Sequence, residues 1–444
     1  MTAIGIVGMG YVGGPLATAF ADAGHSVVGY DIDENKIETL RNEQRDLVTR
    51  TVDARTTFEF KQAGGSELEY EDDTRAGLEY SSDPSCLRGC RVIITAVPTP
   101  LTPSSTPDLS ILHSAARTIG EQLRPRTTVV LESTVYPGVT RNEFVPEIER
   151  ASGMTLGNEF DVGYSPERVT PGESHELRNT VKPVSGNTDA VRAELMELYD
   201  DVVEELFPAP SIEAAEAAKC LENTQRDVNI ALINQFAMAC SRIDWLDYDD
   251  VLTVADTKWN FQRYDPGLVE GHCIPIDPHY LIDQLERHGA SASLMREARS
   301  VNESVVDHVL QLTIGAFAER ERLVDGPTND RVLALGISYK PNSDDIRSTA
   351  KCRLFDGLRN AGLDPVGYDP HVDPVKAADA FDIEVVSSIN AADVTGALVL
   401  TGHDVFADLS IHTLVKSMSE RPVVVDLPRM FSEPADSDIV YRRL

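Results

Sequence analysis

Residues 3–13 read Ala-Ile-Gly-Ile-Val-Gly-Met-Gly-Tyr-Val-Gly, a short apolar run that ends in three spaced glycines. A helical pattern follows over residues 15–23, and a second apolar run at residues 26–30 ends at Asp31. A strand, a glycine turn, a helix, a strand and an acid in this order are typical of the first unit of a doubly wound α/β domain. The opening of the chain therefore predicts a parallel sheet with helices on its faces.

The glycine turn also predicts a dinucleotide site. Gly8 permits the tight turn, Gly10 lets the backbone approach a pyrophosphate, and Gly13 allows close packing of the helix. The helix N-terminus adds N–H donors and a positive dipole. Asp31 lies about 20 residues further on, where a carboxylate accepts a hydrogen bond from the ribose 2′-hydroxyl and repels a 2′-phosphate. NAD is therefore favoured over NADP as the cofactor.

The charge of the chain excludes some partners. The 444 residues carry a net charge of −32, and nine of the 40 cationic residues are Lys. Nucleic acids and anionic membranes both require a cationic face, so neither is expected as a partner. We interpret the acidity as adaptation of the surface to concentrated salt. At molar salt the Debye length is about 3 Å, so a local basic pocket still binds a phosphate.

The length of the chain and its cysteine content limit the classes of protein to which it can belong. A chain of 444 residues should form two or three domains. The six cysteines form no Cys-x-x-Cys pair and no cluster with zinc-ligand spacing, so no metal is expected and reduced thiols fit best. No apolar stretch is long enough to span a bilayer, and no signal pattern precedes the first strand. A cytoplasmic protein is expected.

Two further predicted strands place hydroxyl groups where ligands bind. Residues 91–100 and 127–134 each read as an apolar strand followed by a polar turn. In an open parallel sheet, ligands lie beyond the carboxyl ends of the strands, so Thr99, Ser133 and Thr134 are placed to meet the cofactor or the substrate. The alternative is turn chemistry, in which such hydroxyls satisfy only the local backbone.

A long helical pattern connects the first domain to the rest. Residues 212–243 contain neither Pro nor Gly and span roughly 48 Å, more than the width of a small domain. Such a helix commonly packs against its symmetry mate, so a homodimer is expected. Lys219 and Asn223 lie four residues apart and share one face, although such a pair is more often solvated surface than active site. Residues 64–83 are polar and charged and are expected to form a surface excursion.

The last third of the chain repeats the pattern of the first. Apolar runs predict strands that start near residues 331, 365, 397 and 423. Residues 365–369, Pro-Val-Gly-Tyr-Asp, echo residues 27–31, Val-Val-Gly-Tyr-Asp. No glycine triplet follows the first of these strands, so this half should bind something other than the dinucleotide. Lys340 and Arg347 indicate an anionic ligand.

The predicted fold class is therefore α/β, with two doubly wound Rossmann-like domains joined by a long central helix. We expect an NAD-binding domain over residues 1–190. A central helical domain over residues 191–310 should carry the dimer contact, and a second Rossmann-like domain over residues 311–444 should bind the anionic ligand.

Cys273 lies in the stretch Gly-His-Cys-Ile-Pro-Ile-Asp-Pro, residues 271–278. A thiol among Gly and Pro residues occupies a tightly shaped loop, where sulfur, backbone N–H groups and a carboxylate can surround one substrate atom. A nucleophilic cysteine is one interpretation. The other is a buried structural thiol, which is the usual fate of free cysteines.

In this order the motifs resemble the UDP-glucose/GDP-mannose dehydrogenase family of nucleotide-sugar 6-dehydrogenases, over nearly the whole chain. Besides the glycine turn, the resemblance rests on Ser-Thr-Val-Tyr-Pro-Gly at 133–138, Ser-Pro-Glu-Arg at 165–168, Lys219 with Asn223, Gly-His-Cys with Asp277, and the stretch from Gly336 through Tyr339-Lys340-Pro341-Asn342 to Arg347.

Within the family, residues 165–168 and 222–231 are similar to the UDP-N-acetylhexosamine branch, especially the UDP-N-acetyl-D-mannosamine dehydrogenases. Two positions depart from the family pattern. Glu270 stands where a glycine is usual before Gly-His-Cys. Leu-Pro-Arg at 427–429 replaces the common acid-x-Arg ending, which leaves open whether Arg429 contacts the substrate.

The resemblance implies an activity. The family oxidises the C6 hydroxyl of a UDP-sugar through an aldehyde to a carboxylate, with two NAD reduced. Cys273 would capture the aldehyde as a thiohemiacetal that becomes a thioester, which water hydrolyses. Lys219 and Asn223 would stabilise negative charge on the C6 oxygen and hold water. Asp277 and Glu167 are the candidate general bases.

The resemblance also implies the full set of site residues. Catalysis is assigned to Cys273, Lys219, Asn223, Asp277, Glu167 and Thr134. Cofactor binding is assigned to Gly8, Gly10, Tyr11, Val12, Gly13, Asp31, Lys36, Pro98, Thr99, Ser133, Thr134 and Arg347. Substrate binding is assigned to Glu167, Arg168, Val169, Lys219, Asn223, Tyr264, Gly267, Gly271, His272, Tyr339 and Lys340.

The sugar and the class of protein leave alternatives. UDP-N-acetyl-D-mannosamine is the expected substrate, with UDP-glucose and UDP-N-acetylglucosamine as alternatives. A 3-hydroxyacid dehydrogenase would share the first domain but would need neither the cysteine nor a second doubly wound domain. A non-catalytic sugar-nucleotide-binding protein could lose Cys273 and Lys219, and this chain keeps both.

Overall fold

The computed structural model describes the chain except residues 45–76, 169–178, 244, 323–329, 392, 417, 419 and 435–437. The chain divides into two compact units. One comprises Met1–Glu222 and His279–His288, and the other comprises Asn223–Pro278 and Gly289–Leu444. Each unit contains one doubly wound sheet, and a long helix lies between the two sheets in the sequence, so the predicted fold class is confirmed.

The first unit is built on an eight-stranded sheet in the order β3-β2-β1-β4-β5-β6-β7-β8. Neighbouring strands run parallel except β6 and β7, which are antiparallel. The order reverses between β1 and β4, which is the switch point where ligands bind in open α/β sheets. The strands are β1 (Ala3–Val7), β2 (Ser26–Tyr30), β3 (Leu78–Ser81), β4 (Val92–Thr95), β5 (Thr128–Leu131), β6 (Asp161–Tyr164), β7 (Lys182–Gly186) and β8 (Leu206–Pro208).

The prediction of a surface excursion over residues 64–83 is wrong for the last part of this segment. Residues 64–76 lie outside the described residues, but residues 78–81 form the edge strand β3. Leu78 is buried and pairs with Val27 of β2. A strand with a single buried position carries little apolar periodicity, so the sequence pattern did not reveal it.

Helices cover the sheet of the first unit, and one long helix leads out of it. The first helices are α1 (Gly13–Asp22), α2 (Ser110–Gln122), α3 (Val145–Ser152) and α4 (Asp189–Tyr199), and residues 34–44 are also helical. The predicted long helix is present as α5 (Ile212–Cys240). It ends three residues before the predicted end because Arg242 and Ile243 donate to carbonyls three residues back, which tightens the last turn.

The second unit contains a six-stranded sheet in the order β11-β10-β9-β12-β13-β14, with every neighbouring pair parallel. The strands are β9 (Arg331–Leu335), β10 (Asp364–Tyr368), β11 (Glu384–Val385), β12 (Gly396–Val399), β13 (Val423–Asp426) and β14 (Val440–Arg443). Further α-helices among the described residues are α6 (Tyr248–Ala255), α7 (Asp277–Arg287), α8 (Ser293–Glu321), α9 (Thr349–Asn360), α10 (Pro374–Phe381) and α11 (Ile411–Val415).

The core of each unit lies against its sheet. β4, β5 and β13 are buried at all four positions, which explains why they read as continuous apolar runs. In the second unit, α8 buries Val305, Val309 and Phe317 in the same core as Leu354 of α9. Full burial of such a side chain is worth about 1.5–3 kcal/mol. None of the described helices has the length and apolar composition that a bilayer crossing requires.

Candidate active site

Packing explains two of the three glycines in the turn after β1. A Cβ atom on Gly13 would lie 1.9 Å from the carbonyl oxygen of Gly8. Gly8 has a φ of +95°, and a Cβ there would lie 2.6 Å from the oxygen of Ala96. Around the Cβ position of Gly10, by contrast, no described atom lies within 4 Å. The turn thus leaves its backbone open where a pyrophosphate would approach, so these residues fit a dinucleotide.

Asp31 closes the same turn from the end of β2. Its carboxylate accepts hydrogen bonds from the backbone N–H of Met9 at 2.9 Å and of Asp33 at 3.0 Å, and from the Lys36 ammonium at 2.9 Å. Burial raises the pKa of Asp31, but these three hydrogen bonds outweigh it and leave the pKa below its usual value. The carboxylate is therefore charged at neutral pH, as repulsion of a 2′-phosphate requires. Lys36 lies beside Asp31.

The turns after β4 and β5 are joined by hydroxyl groups. Thr99 Oγ1 donates to the carbonyl of Thr134, and Ser133 Oγ donates to the carbonyl of Val97, both at 2.7 Å. These two hydroxyls hold neighbouring strand ends together through carbonyls 35 and 36 residues away, and not through the local backbone that the turn alternative expected. Thr134 is half-buried beside them, and Pro98 is exposed.

A pocket brings together two groups of predicted site residues. Tyr11 and Val12 of the glycine turn line it on one side, and Glu167 and Arg168 of the loop after β6 line it on another. The predicted cofactor turn and the predicted substrate loop thus border one cavity within the first unit.

Helix α5 anchors the loop that carries Glu167. Lys219 Nζ lies 3.6 Å from Glu167 Oε2, and their side chains are 7% and 15% exposed. Arg168 donates to the carbonyl of Val181 at 2.9 Å and forms an ion pair with Glu222 of α5. The predicted catalytic Lys219 and Glu167 are therefore in ion-pair contact. Val169, a predicted substrate residue, lies outside the described residues.

Glu216 holds in place a segment next to the site. The sequence did not predict a role for this residue. It is fully buried on α5, and its carboxylate accepts from the backbone N–H groups of Gly138 and Thr140 at 2.6 and 2.9 Å. Burial raises the pKa of Glu216 to about 7 against the opposing hydrogen bonds. It fixes the segment that follows Thr134. The available signal was an acid between two pairs of alanines, at residues 214–215 and 217–218, one turn before Lys219.

A second buried group lies under the same pocket. Lys182 Nζ lies 3.2 Å from Glu132 Oε2, and Tyr199 donates to the other oxygen of Glu132. The same ammonium is 3.4 Å from the carbonyl of Pro166, the residue before Glu167. The ion pair therefore supports the backbone of the Glu167 loop. Because Glu132 and Lys182 are 50 residues apart in the sequence, their pairing could not be read from it.

In the second unit, Cys273 and two predicted polar residues lie around the start of α7. Cys273 is exposed, whereas Cys220 and Cys240 are buried. The carbonyl of Cys273 accepts from the backbone N–H of Asp277 at 2.8 Å. The Asp277 carboxylate accepts from the Asn223 amide at 2.5 Å, and both residues are buried. The interpretation of Cys273 as a buried structural thiol is therefore wrong.

The residues on either side of Cys273 are held by backbone geometry and packing. Gly271 has a φ of +81°, and a Cβ atom there would lie 3.0 Å from the Tyr339 ring. His272 is exposed, but partial desolvation of its ring, together with the nearby charge of Arg347, lowers its pKa. The imidazole is therefore neutral at pH 7. A neutral ring does not supply a charge that would lower the pKa of the adjacent thiol.

Two other predicted substrate residues lie earlier in the same loop. The side-chain amide of Asn234 accepts from the N–H of Gly267 at 2.8 Å and donates to its carbonyl at 3.0 Å. This pair of hydrogen bonds fixes the peptide position of Gly267 against α5. Tyr264 packs against the core, and its hydroxyl accepts from Gln225 at 3.4 Å.

The turn after β9 carries the predicted cations. Tyr339 donates its N–H to the carbonyl of Asp345, and Lys340 is half-buried. The guanidinium of Arg347 donates to both carboxylate oxygens of Asp345, with the shortest distance 2.5 Å. The Arg429 guanidinium lies over the Tyr248 ring at 4.2 Å and is engaged with Asp249 at 2.7 Å. Arg429 is thus held by protein groups.

Comparison with known proteins covers the whole architecture. Residues 2–203 match the NAD binding domain of the UDP-glucose/GDP-mannose dehydrogenase family, residues 213–304 its central domain, and residues 333–433 its UDP binding domain. The UDP-N-acetyl-D-glucosamine 6-dehydrogenase of Salmonella typhi is 36% identical over 433 residues, covering 96% of this chain and 95% of that protein.

Two other proteins are similar over their full length. The UDP-glucose 6-dehydrogenase AglM of Haloferax volcanii is 31% identical, covering 95% of each chain. The solved structure of the UDP-D-ManNAc dehydrogenase from Pyrococcus horikoshii superposes with a TM-score of 0.81 at 28% identity, covering 99% of this chain and 98% of that one. The chain belongs to the UDP-glucose/GDP-mannose dehydrogenase family and is an NAD-dependent nucleotide-sugar dehydrogenase.

Proposed function

We propose that this enzyme oxidises the C6 hydroxyl of a UDP-N-acetylhexosamine to a carboxylate, with Cys273 as a covalent nucleophile. The observation that carries the proposal is an exposed thiol at the start of α7, four residues before the buried Asp277–Asn223 pair. An accessible thiol beside a fixed carboxylate is the arrangement that nucleophilic catalysis requires. The match of residues 333–433 to a UDP binding domain supports the nucleotide part of the substrate.

The first unit would hold the cofactor. The turn from Gly8 to Gly13 would bind the pyrophosphate, and Asp31 would accept from the ribose hydroxyls. Bound NAD would accept one hydride at each of the two oxidation stages. Thr99 and Ser133 would contribute by fixing the strand ends beside it, since their hydroxyls already bind the backbone.

Cys273 would keep the carbon skeleton attached between the two stages. Its sulfur bonds to C6 of the aldehyde as the thiol proton passes to the oxygen, which gives a thiohemiacetal. The second oxidation removes the C6 hydrogen and the hydroxyl proton, which leaves a thioester. Water then adds to C6, the carbon–sulfur bond breaks, and the thiol is regenerated with the acid as product. The Asp277 carboxylate, oriented by Asn223, would accept the protons released near the sulfur.

Lys219 and Glu167 would act on the C6 oxygen. The Lys219 ammonium would stabilise negative charge on this oxygen as the proton leaves. Glu167, within 3.6 Å of that ammonium, would accept the proton or orient the hydrolytic water. Lys219 lies one turn before Asn223 on α5, so one helix face would present a cation and an amide.

The choice of sugar rests on relatives and motifs. The Salmonella protein, named for UDP-N-acetyl-D-glucosamine, is 36% identical, whereas the Haloferax protein, named for UDP-glucose, is 31% identical. We therefore place UDP-N-acetyl-D-glucosamine first. UDP-N-acetyl-D-mannosamine, expected from the motif at residues 165–168, is the second candidate, and the TM-score of 0.81 to the Pyrococcus enzyme favours it.

A substrate panel tests this proposal. NADH production is measured with UDP-N-acetylglucosamine, UDP-N-acetylmannosamine, UDP-glucose and GDP-mannose. Two NADH should form for each sugar oxidised. An N-acetylated sugar should have a kcat/KM about ten- to a hundredfold higher than UDP-glucose, because polar groups built around an acetamide stay unpaired without it. If UDP-glucose matches or exceeds both N-acetylated sugars, the proposed sugar class is wrong.

The covalent role has a separate test. Cys273→Ser should abolish acid formation and leave NAD affinity within a few-fold, because the thiol takes part in chemistry and the glycine turn in binding. Cys86→Ser, a half-buried cysteine of the first unit, is the matched control and should remain active. A Cys273→Ser enzyme that still forms two NADH per sugar at the normal rate contradicts the mechanism.

The enzyme is also proposed to be a homodimer that uses α5. Leu221 and Leu232 on this helix are 57% and 63% exposed and lie 11 residues apart, which places them on one face. An exposed apolar stripe of this kind is typical of a helix that packs against its symmetry mate. Light scattering should show a dimer, and a fully active monomer contradicts this assignment.

A further inference from the structure

We infer that Lys351 and Glu270 couple the UDP-binding turn to the catalytic cysteine. The cysteine loop is defined as residues 270–273, and the second-unit turn as residues 336–342. The inference rests on the proposed function, in which the second-unit turn binds UDP and Cys273 is the nucleophile. Lys351 and Glu270 are positioning residues, since they act through the cysteine loop and the turn.

Lys351 lies at the centre of the contact. It is on α9, and its side chain is completely buried. Its ammonium lies 2.9 Å from Glu270 Oε2, 2.5 Å from the carbonyl oxygen of Ser338 and 3.1 Å from Thr401 Oγ1. An ammonium has three N–H donors, so all three are engaged. One of the acceptors begins the cysteine loop, and another precedes Tyr339 and Lys340 in the second-unit turn.

Glu270 is held equally firmly at its other oxygen. Its side chain is 5% exposed, and Oε1 accepts from the hydroxyl of Ser348. Ser348 also caps α9, because its hydroxyl accepts from the backbone N–H of Lys351 at 3.0 Å. A carboxylate at a helix N-terminus is further stabilised by the helix dipole. The first residue of the cysteine loop is therefore fixed to the first turn of α9.

The next two loop residues meet the same segment of chain. Gly271 approaches the Tyr339 ring so closely that a Cβ atom would lie 3.0 Å from it. The charges of Arg347 and Asp345 act on His272. Residues 270, 271 and 272 thus each face residues 338–348, and Cys273 follows directly. A change in the second-unit turn reaches the thiol through adjacent residues.

A buried ion pair transmits such a change better than apolar contacts do. If either partner moves away, the other is left as an uncompensated charge in a low-dielectric interior, which is strongly unfavourable. The ammonium and the carboxylate must therefore move together. A ligand that fixes the second-unit turn also fixes Ser338, then Lys351 and then Glu270. UDP binding should consequently restrict the motion of Cys273, before any sugar occupies the site.

The ion pair between Lys351 and Glu270 is a property of this chain and is not expected across the family. The sequence departs from the family pattern at Glu270, where a glycine is usual. With a glycine there, Lys351 would have no carboxylate partner on the cysteine loop. The coupling should therefore depend on these two side chains and not on the fold alone.

The experiment measures alkylation of Cys273 by iodoacetamide with and without UDP, with the Cys273 peptide quantified by mass spectrometry. UDP alone is the probe because it lacks the hexose that would shield the thiol. The test variant is Glu270→Gln with Lys351→Met, which removes both charges and leaves neither orphaned. The matched control is Arg320→Met with Asp330→Asn, another buried pair at 2.8 Å, which lies before β9 rather than after it.

In the wild-type enzyme, UDP should slow alkylation of Cys273 by about fivefold, the lower end of typical coupling between two sites. The slowing should fall below twofold in the test variant and remain as in wild type in the control. Equal slowing in the test variant and the wild type overturns the coupling, as does UDP that binds by calorimetry without changing the alkylation rate. If UDP fails to bind the wild-type enzyme at all, the proposed function itself is wrong.

Discussion

The turns after β1 and β9 occupy equivalent places in two doubly wound sheets, yet they are prepared for different ligands. Each begins with a glycine of positive φ, and the N–H of this glycine donates to the backbone carbonyl of the tyrosine that ends the neighbouring strand. Gly8 donates to Tyr30 at 2.8 Å, and Gly336 donates to Tyr368 at 2.9 Å. Beyond this shared start, the first turn continues with two more glycines, and the second continues with Tyr339 and Lys340.

The acids at the ends of β2 and β10 show the same difference. Asp31 binds Lys36, a surface side chain that is 41% exposed. Asp369 accepts from the N–H groups of Ile337 and Ser338 and from His403 Nε2, all at 2.9 Å, and the side chains of Asp369 and His403 are both fully buried. Both acids hold the backbone of their own turn, since Asp31 accepts from the Met9 N–H, but Asp31 also has an exposed partner, Lys36, that it can exchange for a ribose hydroxyl.

The comparison indicates that the sheet fixes where the turn lies, whereas the residues of the turn decide which ligand can bind there. In the first turn the backbone around Gly10 is open and the acid is available. In the second turn the acid has buried partners only in the contacts described above, and the turn continues with Tyr339 and Lys340 instead of further glycines, so the proposed ligand would contact side chains.

The largest effect is expected for Gly13→Ala. The added Cβ would lie 1.9 Å from the Gly8 oxygen, so the backbone of the turn must shift. NAD affinity should fall about a hundredfold, roughly 3 kcal/mol, while UDP affinity stays unchanged. Gly14→Ala is the matched control, because no described atom lies within 4 Å of its Cβ position. Calorimetric titration measures both ligands, and equal losses for NAD and UDP contradict the division of roles.

Asp369→Asn should act on stability. Burial raises the pKa of Asp369, but hydrogen bonds from His403 and from the backbone N–H groups of Ser338 and His371 outweigh it and lower the pKa to about 2. A depressed carboxyl pKa stabilises the fold above the unfolded pKa, about pH 4, and this contribution disappears as the pH falls towards 2. The variant should lose about 2 kcal/mol of unfolding free energy at pH 7.

Urea unfolding between pH 7 and pH 3 measures this loss. The difference between wild type and Asp369→Asn should be constant from pH 7 to about pH 5 and should narrow below it. A difference that does not change with pH means that the charge of Asp369 does not support the second turn.

Lys340→Met should weaken the binding of UDP to the second unit. Loss of one cationic contact to a diphosphate should reduce UDP affinity about tenfold, or 1.4 kcal/mol, without changing NAD affinity. Lys376→Met removes an exposed cation of α10 and serves as the control. Equal UDP affinities for the two variants would show that Lys340 does not contact the ligand.

Asp31→Asn should change cofactor choice with the smallest effect on overall rate. Removal of the charge relieves repulsion of a 2′-phosphate, so the ratio of kcat/KM for NADP to that for NAD should rise about tenfold. Asp33→Asn alters an exposed acid two residues away and should leave the ratio unchanged. A ratio that is already near one in the wild-type enzyme contradicts the role of Asp31.

Much of the fold was predictable because buried parallel strands are continuous apolar runs. β4, β5 and β13 are buried at every position and were found from the sequence. β7 was not, because two of its buried positions are the polar residues Lys182 and Ser185. Lys182 is buried only because Glu132 neutralises it, and a sequence pattern does not show such a partner.

The candidate site was predictable to the extent that single motifs define it. The contacts of Asp31 and the exposure of Cys273 agree with the chemistry expected of those motifs. The supporting groups were not predictable, because each depends on a distant partner. The Glu216 carboxylate accepts from the backbone N–H of Gly138, and the Glu270 carboxylate accepts from the ammonium of Lys351, 81 residues away. The Thr99 hydroxyl likewise donates to the carbonyl of Thr134, 35 residues away, which local turn chemistry does not anticipate.

Hydrogen–deuterium exchange of the wild-type enzyme tests the division between the two turns most directly. The enzyme is labelled alone, with NAD and with UDP, and exchange is compared for peptides that cover residues 8–13 and residues 336–342. Of these two segments, NAD should slow exchange at residues 8–13 only and UDP at residues 336–342 only, since a bound ligand restricts local opening of the backbone it contacts. Protection of residues 8–13 by UDP, or of residues 336–342 by NAD, would contradict this division.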